Sequence, residues 1–329
     1  MSTDRSALPG LAAERLSSPT TGSESSKGTP RTKGAAMPAS VRPDIAFDGR
    51  AVLGEGPVWD AEQQRLVWLD ILPGLVHRFD PATGGDDVFG VGKPVGSAGL
   101  RHGGGLVLAV EDGFALLDPG WQRLDQVAVV EHPGPPARFN EGKPDPAGRF
   151  LAGTMAYDET PGAGSFYRLG TDLAVTKLFD GVTISNGLAW TPDGATMYYI
   201  DTPTQGVDAF DYDAGTGRLG NRRRVVDVPA AAGSPDGMTL DTDGCLWVAL
   251  WGGSAVHRYT PDGRLDTVLP LPAPNITCPV FGGPGLGTLY VTSAREGLDE
   301  RQLAAQPHAG ALFAADVGAR GLPTLRFAG

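Results

Sequence analysis

Asp241-Thr-Asp-Gly-Cys-Leu-Trp-Val-Ala-Leu250 holds the unit on which this fold is built. Asp241–Gly244 is a turn signal, because Asp side chains bond their own backbone and glycine accepts positive φ. Leu246–Leu250 is an apolar run of strand length with β-favouring Trp and Val. The same turn-then-strand unit recurs. Upstream lie Leu66-Val-Trp-Leu-Asp70, Leu106-Val-Leu-Ala-Val110, Phe150-Leu-Ala-Gly-Thr154 and Met197-Tyr-Tyr-Ile-Asp201, and downstream lies Leu289-Tyr-Val-Thr-Ser293. Their first residues are 40, 44, 47, 49 and 43 apart. Asp145-Pro-Ala-Gly148, Pro192-Asp-Gly194 and Pro261-Asp-Gly263 add hairpin turns. Each unit has room for about four strands, with a second pair in segments such as Val256-His-Arg-Tyr259. Four strands per ~45 residues, repeated six times, predict an all-β protein, a six-bladed β-propeller. A β-sandwich is smaller than this chain and lacks so long a period.

Composition agrees. The 329 residues include 48 Gly and 28 Pro, too many chain-breakers for long helices, while 41% hydrophobic residues suffice for a core. Residues 1–40 contain no aromatic, Ile or Val and are rich in Ser, Thr, Gly, Pro and Ala. They are expected to form a disordered N-terminal extension, with the propeller domain over 45–329. They lack the apolar core of a secretory signal, and Met37 offers an alternative translation start. A net charge of −11 opposes nucleic-acid binding, and no apolar run nears the ~18 residues of a membrane span. Cys245 and Cys278 form neither a disulfide framework nor a CxxC pair. They are read as small core residues of a cytoplasmic, monomeric protein.

The repeat also locates a site, since a propeller gathers equivalent blade positions around its central channel. Glu55 lies 11 residues before Leu66, Asn140 lies 10 before Phe150, Asn186 lies 11 before Met197, and Asp236 lies 10 before Leu246. The two remaining repeats offer only Val95–Gly96 and Cys278–Pro279 there. Carboxylates with amide carbonyls are hard oxygen donors suited to Ca²⁺, Mg²⁺ or Mn²⁺. Two carboxylates facing each other in a narrow channel repel, which a divalent cation relieves.

Leu53-Gly-Glu-Gly-Pro-Val-Trp59, Arg138-Phe-Asn-Glu-Gly-Lys143, Gly153-Thr-Met155, Ser185-Asn-Gly-Leu188, Pro235-Asp-Gly-Met238 and Phe281-Gly-Gly283 carry a family resemblance. The chain resembles the senescence-marker-protein/gluconolactonase/luciferin-regenerating-enzyme family, which includes regucalcin and bacterial sugar lactonases, from about residue 45 to the C-terminus. The resemblance implies a six-bladed propeller with one divalent metal held by Glu55, Asn186 and Asp236. It assigns Arg138, Asn140 and Asp158 to substrate contact. Glu141 departs from the family's Asn-Asp-Gly, a longer side chain that bears on substrate size or metal preference.

Hydrolysis of a cyclic ester needs a polarised carbonyl, an activated water and stabilisation of the tetrahedral oxyanion. A channel cation, with Ca²⁺ first and Zn²⁺, Mg²⁺, Mn²⁺ or Fe²⁺ as alternatives, supplies the first and last. Asp236 is the candidate general base. Arg138 offers a fork of donors, and Asn140 suits a polyol because it both donates and accepts. The expected activity is metal-dependent hydrolysis of a sugar-acid lactone of the glucono-, xylono- or arabinono- type. A phosphotriesterase-like hydrolase and a regucalcin-like calcium-binding protein are the alternatives. No Gly-x-Ser-x-Gly elbow, P-loop or HExxH motif is present. Among the histidines, His102 leads a Gly-rich stretch placed at the pocket edge, and Trp59, Trp190, Trp247 and Trp251 are assigned to blade packing.

Overall fold

The computed structural model describes residues 41–329. The expected N-terminal extension over 1–40 and the alternative start at Met37 lie outside them.

Apolar runs bounded by Asp/Gly turns fold as consecutive antiparallel strands. Asp241 is fully buried and organises its turn. Its Oδ1 accepts from Cys245 N at 2.9 Å, and its Oδ2 accepts from Trp247 Nε1 at 2.9 Å and Arg258 Nε at 2.8 Å. The strands form six four-stranded sheets, the blades of a β-propeller. Five blades are sequential, spanning 54–90, 95–129, 137–182, 185–227 and 234–270. In the sixth, Asp44–Phe47 pairs antiparallel with Leu312–Asp316 and supplies the outermost strand. The start of the described chain thus closes the ring on its end.

The blades bury their faces against one another in a continuous circle of six apolar interfaces. Trp59, Trp68 and Phe79 pack with Tyr290 and Leu312 where blades one and six meet. Leu69, Val76, Leu100 and Leu108 fill the contact of blades one and two. Phe114, Phe139, Phe150 and Phe327 fill that of two and three, and Phe166, Leu188, Tyr199 and Phe210 that of three and four. Ile200, Val207, Met238 and Val248 join four to five, and Trp247, Ile276, Phe281 and Phe313 join five to six. Trp59, Trp190 and Trp247 are buried in this packing, as expected, and Trp251 is partly buried against Leu53, Ile71 and Ala294.

The innermost strands line the channel: Gly54–Asp60, Val95–Leu100, Ala137–Pro144, Ser185–Trp190, Ser234–Leu240 and Asn275–Gly282. Each breaks register with its neighbour near its start, at Glu55/Val58, Val95/Ser97, Phe139/Gly142, Asn186/Leu188, Pro235/Met238 and Ile276/Pro279. Such bulges re-aim side chains out of the pleat, and here they occur once per blade. Among the described residues no helix is long and apolar enough to cross a membrane.

Candidate active site and metal centre

The bulges bring the in-register residues together. Glu55, Arg138, Asn140, Asn186 and Asp236 are each at most 6% exposed. Arg138, Asn140 and Asn186 are joined by a chain of hydrogen bonds that Thr202 extends to the backbone beside Asp236. Arg138 Nη1 donates to Asn140 Oδ1 at 2.5 Å and to Phe139 O at 3.2 Å. Asn140 Nδ2 donates to Asn186 Oδ1 at 2.8 Å and to Ser185 O at 2.9 Å. Asn186 Nδ2 donates to Thr202 Oγ1 at 2.8 Å, and Thr202 Oγ1 donates to Pro235 O, the neighbour of Asp236, at 2.8 Å. Thr202 thereby holds the Asn186 amide with its carbonyl oxygen toward Asn140. Both N–H groups of Asn140 are engaged within the protein, so it meets a ligand only through its remaining Oδ1 lone pair.

The carboxylates repel. Burial and then the charge of Glu141 push Glu55 up to about 8, although the Gly56 N–H at 2.8 Å on Oε2 and the cations Arg138 and Lys143 oppose this. Burial, followed by Glu55 and Glu141, raises Asp236 well above the usual carboxylate range. Arg138 is lowered by its burial, against the pull of Glu296, Tyr157, Glu55 and Asp236. Three buried carboxylates therefore share one channel with two cationic side chains, Arg138 and Lys143. That excess of negative charge fits a divalent cation. Glu55, Asn186 and Asp236 are the oxygen donors that would hold it.

Glycines follow Glu55 and Asp236 for a steric reason. Gly56 lies at φ +51°, and a Cβ on Gly237 would collide with Cys278 Sγ. A side chain at either position would strain or obstruct the channel.

Asp158 is the exception. It is exposed, and its Oδ1 accepts from Thr160 N at 3.1 Å and Thr160 Oγ1 at 2.7 Å, closing its own turn. Asp158 thus lies outside the hydrogen-bonded group of Arg138, on which Glu296, after the second strand of blade six, exerts the largest opposite charge. His102 is likewise displaced from the pocket edge. It sits on the loop after the second innermost strand, where its N–H donates to Phe327 O at 2.9 Å, at the other end of the channel. A cavity of about 320 Å³ also lies at that end, lined by Trp190, Leu240, Phe281 and Leu322, away from the carboxylates.

Two further residues of the channel were noted in the sequence without a role in the site: Glu141, as a departure from the family motif, and Cys278, at the in-register position of its repeat. Glu141 is 4% exposed, its Oε1 is 3.3 Å from Lys143 Nζ, and its Oε2 accepts from Cys278 Sγ at 3.6 Å. The Oε1 contact is an ion pair without hydrogen-bond geometry. Lys143 Nζ donates instead to Met238 O at 2.7 Å and Leu188 O at 3.0 Å. Cys278 is buried as expected, yet it occupies the bulge of blade six and faces the channel rather than an interface between blades. The in-register count had reached Cys278, and the bulge between Ile276 and Pro279 accounts for its facing the channel.

Residues 53–295 match the family described as SMP-30/Gluconolactonase/LRE-like region. The chain belongs to this family. It is 42% identical over 298 residues to regucalcin of Gallus gallus, covering 88% of this chain and all of the relative. It is 39% identical over 286 residues to a Bacillus subtilis (strain 168) protein provisionally named sugar lactone lactonase YvrE, covering 87% of this chain and 98% of that one. Among solved structures, a calcium-binding protein, regucalcin, from Agrobacterium tumefaciens str. C58 superposes with a TM-score of 0.83 at 32% identity, covering 87% and 97% of the two chains. The matched residues include all six channel strands, from Gly54–Asp60 to Asn275–Gly282.

Proposed function

We propose that this family member hydrolyses a sugar-acid lactone to the aldonic acid with a divalent cation bound by Glu55, Asn186 and Asp236. The observation that carries the reading is the unbroken chain Arg138–Asn140–Asn186 beside two buried carboxylates that repel each other. A pure cation buffer has no need of a buried guanidinium aimed at the same channel. The name sugar lactone lactonase on the Bacillus subtilis relative points the same way.

When bound, the cation supplies Lewis acidity toward the ester carbonyl and keeps the neighbouring carboxylates ionised. Ionised Asp236 takes a proton from the attacking water and returns it to the ring oxygen as the ester opens. Arg138 keeps N–H groups beyond those engaged with Asn140 and Phe139, and these stabilise developing oxyanion charge. Asn140 holds the Arg138 fork in place and accepts from one sugar hydroxyl. Burial of the whole group strengthens each of these interactions.

The test is acid release from a panel of aldonolactones by EDTA-treated protein, before and after adding Ca²⁺, Mg²⁺, Mn²⁺ or Zn²⁺. Cation-dependent turnover above the spontaneous opening rate is expected. No turnover with any pair would overturn the reading.

A further inference from the structure

Glu55, Glu141 and Cys278 form a second donor set in the channel. All three are buried, and one donor atom from each lies within 4.8 Å of the others. The set shares Glu55 with the oxygen site but brings in a thiol and a carboxylate from blades six and three. Cys278 Sγ and Glu141 Oε2 are 3.6 Å apart. In a tetrahedron built on zinc-like bonds of about 2.0–2.3 Å, sulfur and oxygen donors lie about 3.5 Å apart.

We propose that this channel has a second, mixed oxygen–sulfur position, made by Glu55, Glu141 and Cys278, that takes a thiophilic divalent ion of the zinc class. The inference rests on the cation binding of the proposed function and adds a metal choice that oxygen donors alone do not make.

Two observations besides the cysteine support it. Glu141 is buried and its Oε2 has no protein partner except the Cys278 thiol, whose proton coordination removes, while Oε1 has only the ion pair with Lys143. Lys143, the cation nearest to it, stands on the opposite side: its Nζ is 3.3 Å from Oε1, whereas the thiol lies against Oε2. An ion between Sγ and Oε2 therefore does not displace the ammonium, which is fixed by Met238 O and Leu188 O. Charge agrees as well. On coordination the Cys278 thiol releases its proton to solvent. Glu55, Asp236, Glu141 and the thiolate then face Arg138 and Lys143, and a single divalent ion brings the group to neutrality. Soft thiolate selects zinc-class ions over Ca²⁺ and Mg²⁺, while the hard oxygens of Glu55, Asn186 and Asp236 suit those two. Because Glu55 serves both positions, the two ions compete.

The experiment is an ultraviolet and visible titration of the full-length, EDTA-treated protein with Cd²⁺ and Co²⁺, beside calorimetry with Zn²⁺ and Ca²⁺. A thiolate-to-metal charge-transfer band is expected to saturate at one ion per chain. It should persist in Cys245→Ser and vanish in Cys278→Ser. Cys278→Ser and Glu141→Gln should each weaken Zn²⁺ binding by at least about tenfold, the scale of even outer-sphere changes. Ca²⁺ affinity should not change in Cys278→Ser. A metal-loaded wild type without the band would overturn the proposal, as would a band that survives in Cys278→Ser. A band without lactone turnover would uphold this position and sink the proposed activity. Turnover without a band would do the reverse.

Discussion

Asn140 donates to Asn186 across 2.8 Å, joining two residues one structural repeat apart. The bond ties the residue that steadies Arg138 to one of the proposed cation ligands, so the two halves of the site cannot move independently. Asn140→Ala removes the acceptor for Arg138 Nη1 and both donors toward blade four. Lactone kcat/KM is expected to fall about a hundredfold, since a misplacement of ~1 Å costs that much. The fold should survive, because the blade interfaces are untouched. Steady-state kinetics with circular dichroism checks this; unchanged kcat/KM would remove Asn140 from the site.

Asp236→Asn keeps the shape of the side chain but removes a charge and a base. Hydrolysis should drop by about 10²–10⁴, the usual contribution of a positioned proton acceptor. Stability should move the other way. Asp236 is raised by burial and by Glu55, so its neutral replacement relieves a repulsion in the cation-free protein. A gain of about 1 kcal/mol corresponds to roughly 2–4 °C in Tm for a domain of this order. Melting in EDTA reads it out, and a lower Tm than wild type would contradict the electrostatic account.

The same repulsion sets a pH dependence. Glu55 titrates in the folded state at about 8, against 4.5 for an unperturbed glutamate, and Asp236 is raised too. Between those limits the folded protein holds protons that the unfolded chain has released, so cation-free stability falls as pH rises. Burial depresses His257, a contribution of opposite slope confined below its usual value of 6.5, which leaves pH 6.5–8 as the clean window. A bound cation removes the penalty by keeping the carboxylates ionised, so its affinity rises over the same window. Tm in EDTA should decline from pH 6.5 to 8 while the gap to the cation-loaded protein widens. A constant gap would count against carboxylate ligands.

The repeat was legible because it is local. The six apolar runs noted in the sequence lie within the second strands of the six blades, from Arg65–Asp70 to Thr288–Ala294. Counting back from them picks out Glu55, Asn140, Asn186 and Asp236, which the fold gathers. Glu141 was legible through the resemblance as a departure beside the pocket, but not through the strand pattern, because in a regular strand neighbours point to opposite faces and only the slip between Phe139 and Gly142 alters that alternation. Cys278 was masked by chemistry: a buried thiol reads as a small apolar side chain. The turn bonds that Asp158 makes to Thr160 were not legible, because order along the chain does not tell which residue of a turn bonds its own backbone. The ring closure by Asp44–Phe47 was missed too, since a four-residue outer strand, half of it exposed, carries little pattern.

The C-terminal segment was equally silent in the sequence, and it carries the last prediction. Arg320 O accepts from Thr242 N of blade five, and Gly321 N donates to Leu286 O of blade six. Thr324 Oγ1 donates to Trp59 O of blade one at 2.8 Å. Phe327 N donates to Leu100 O of blade two, and Ala328 N to Gly148 O of blade three. The segment therefore laces five blades at the end of the channel away from the carboxylates. Phe327, fully buried between blades two and three, anchors it. Phe327→Ala should cost about 3–5 kcal/mol, as for a large core side chain. That is a sizeable share of the ~5–15 kcal/mol that holds a domain folded. Denaturant midpoint should fall with the m-value unchanged, while kcat/KM per folded molecule stays at the wild-type level because the segment's hydrogen bonds go to Thr242, Leu286, Trp59, Leu100 and Gly148 rather than to Glu55, Arg138, Asn140, Asn186 or Asp236. A large loss of kcat/KM in the folded protein would show instead that the two ends of the channel are coupled, with Lys143, which lines the lower cavity and pairs with Glu141, as the connecting side chain.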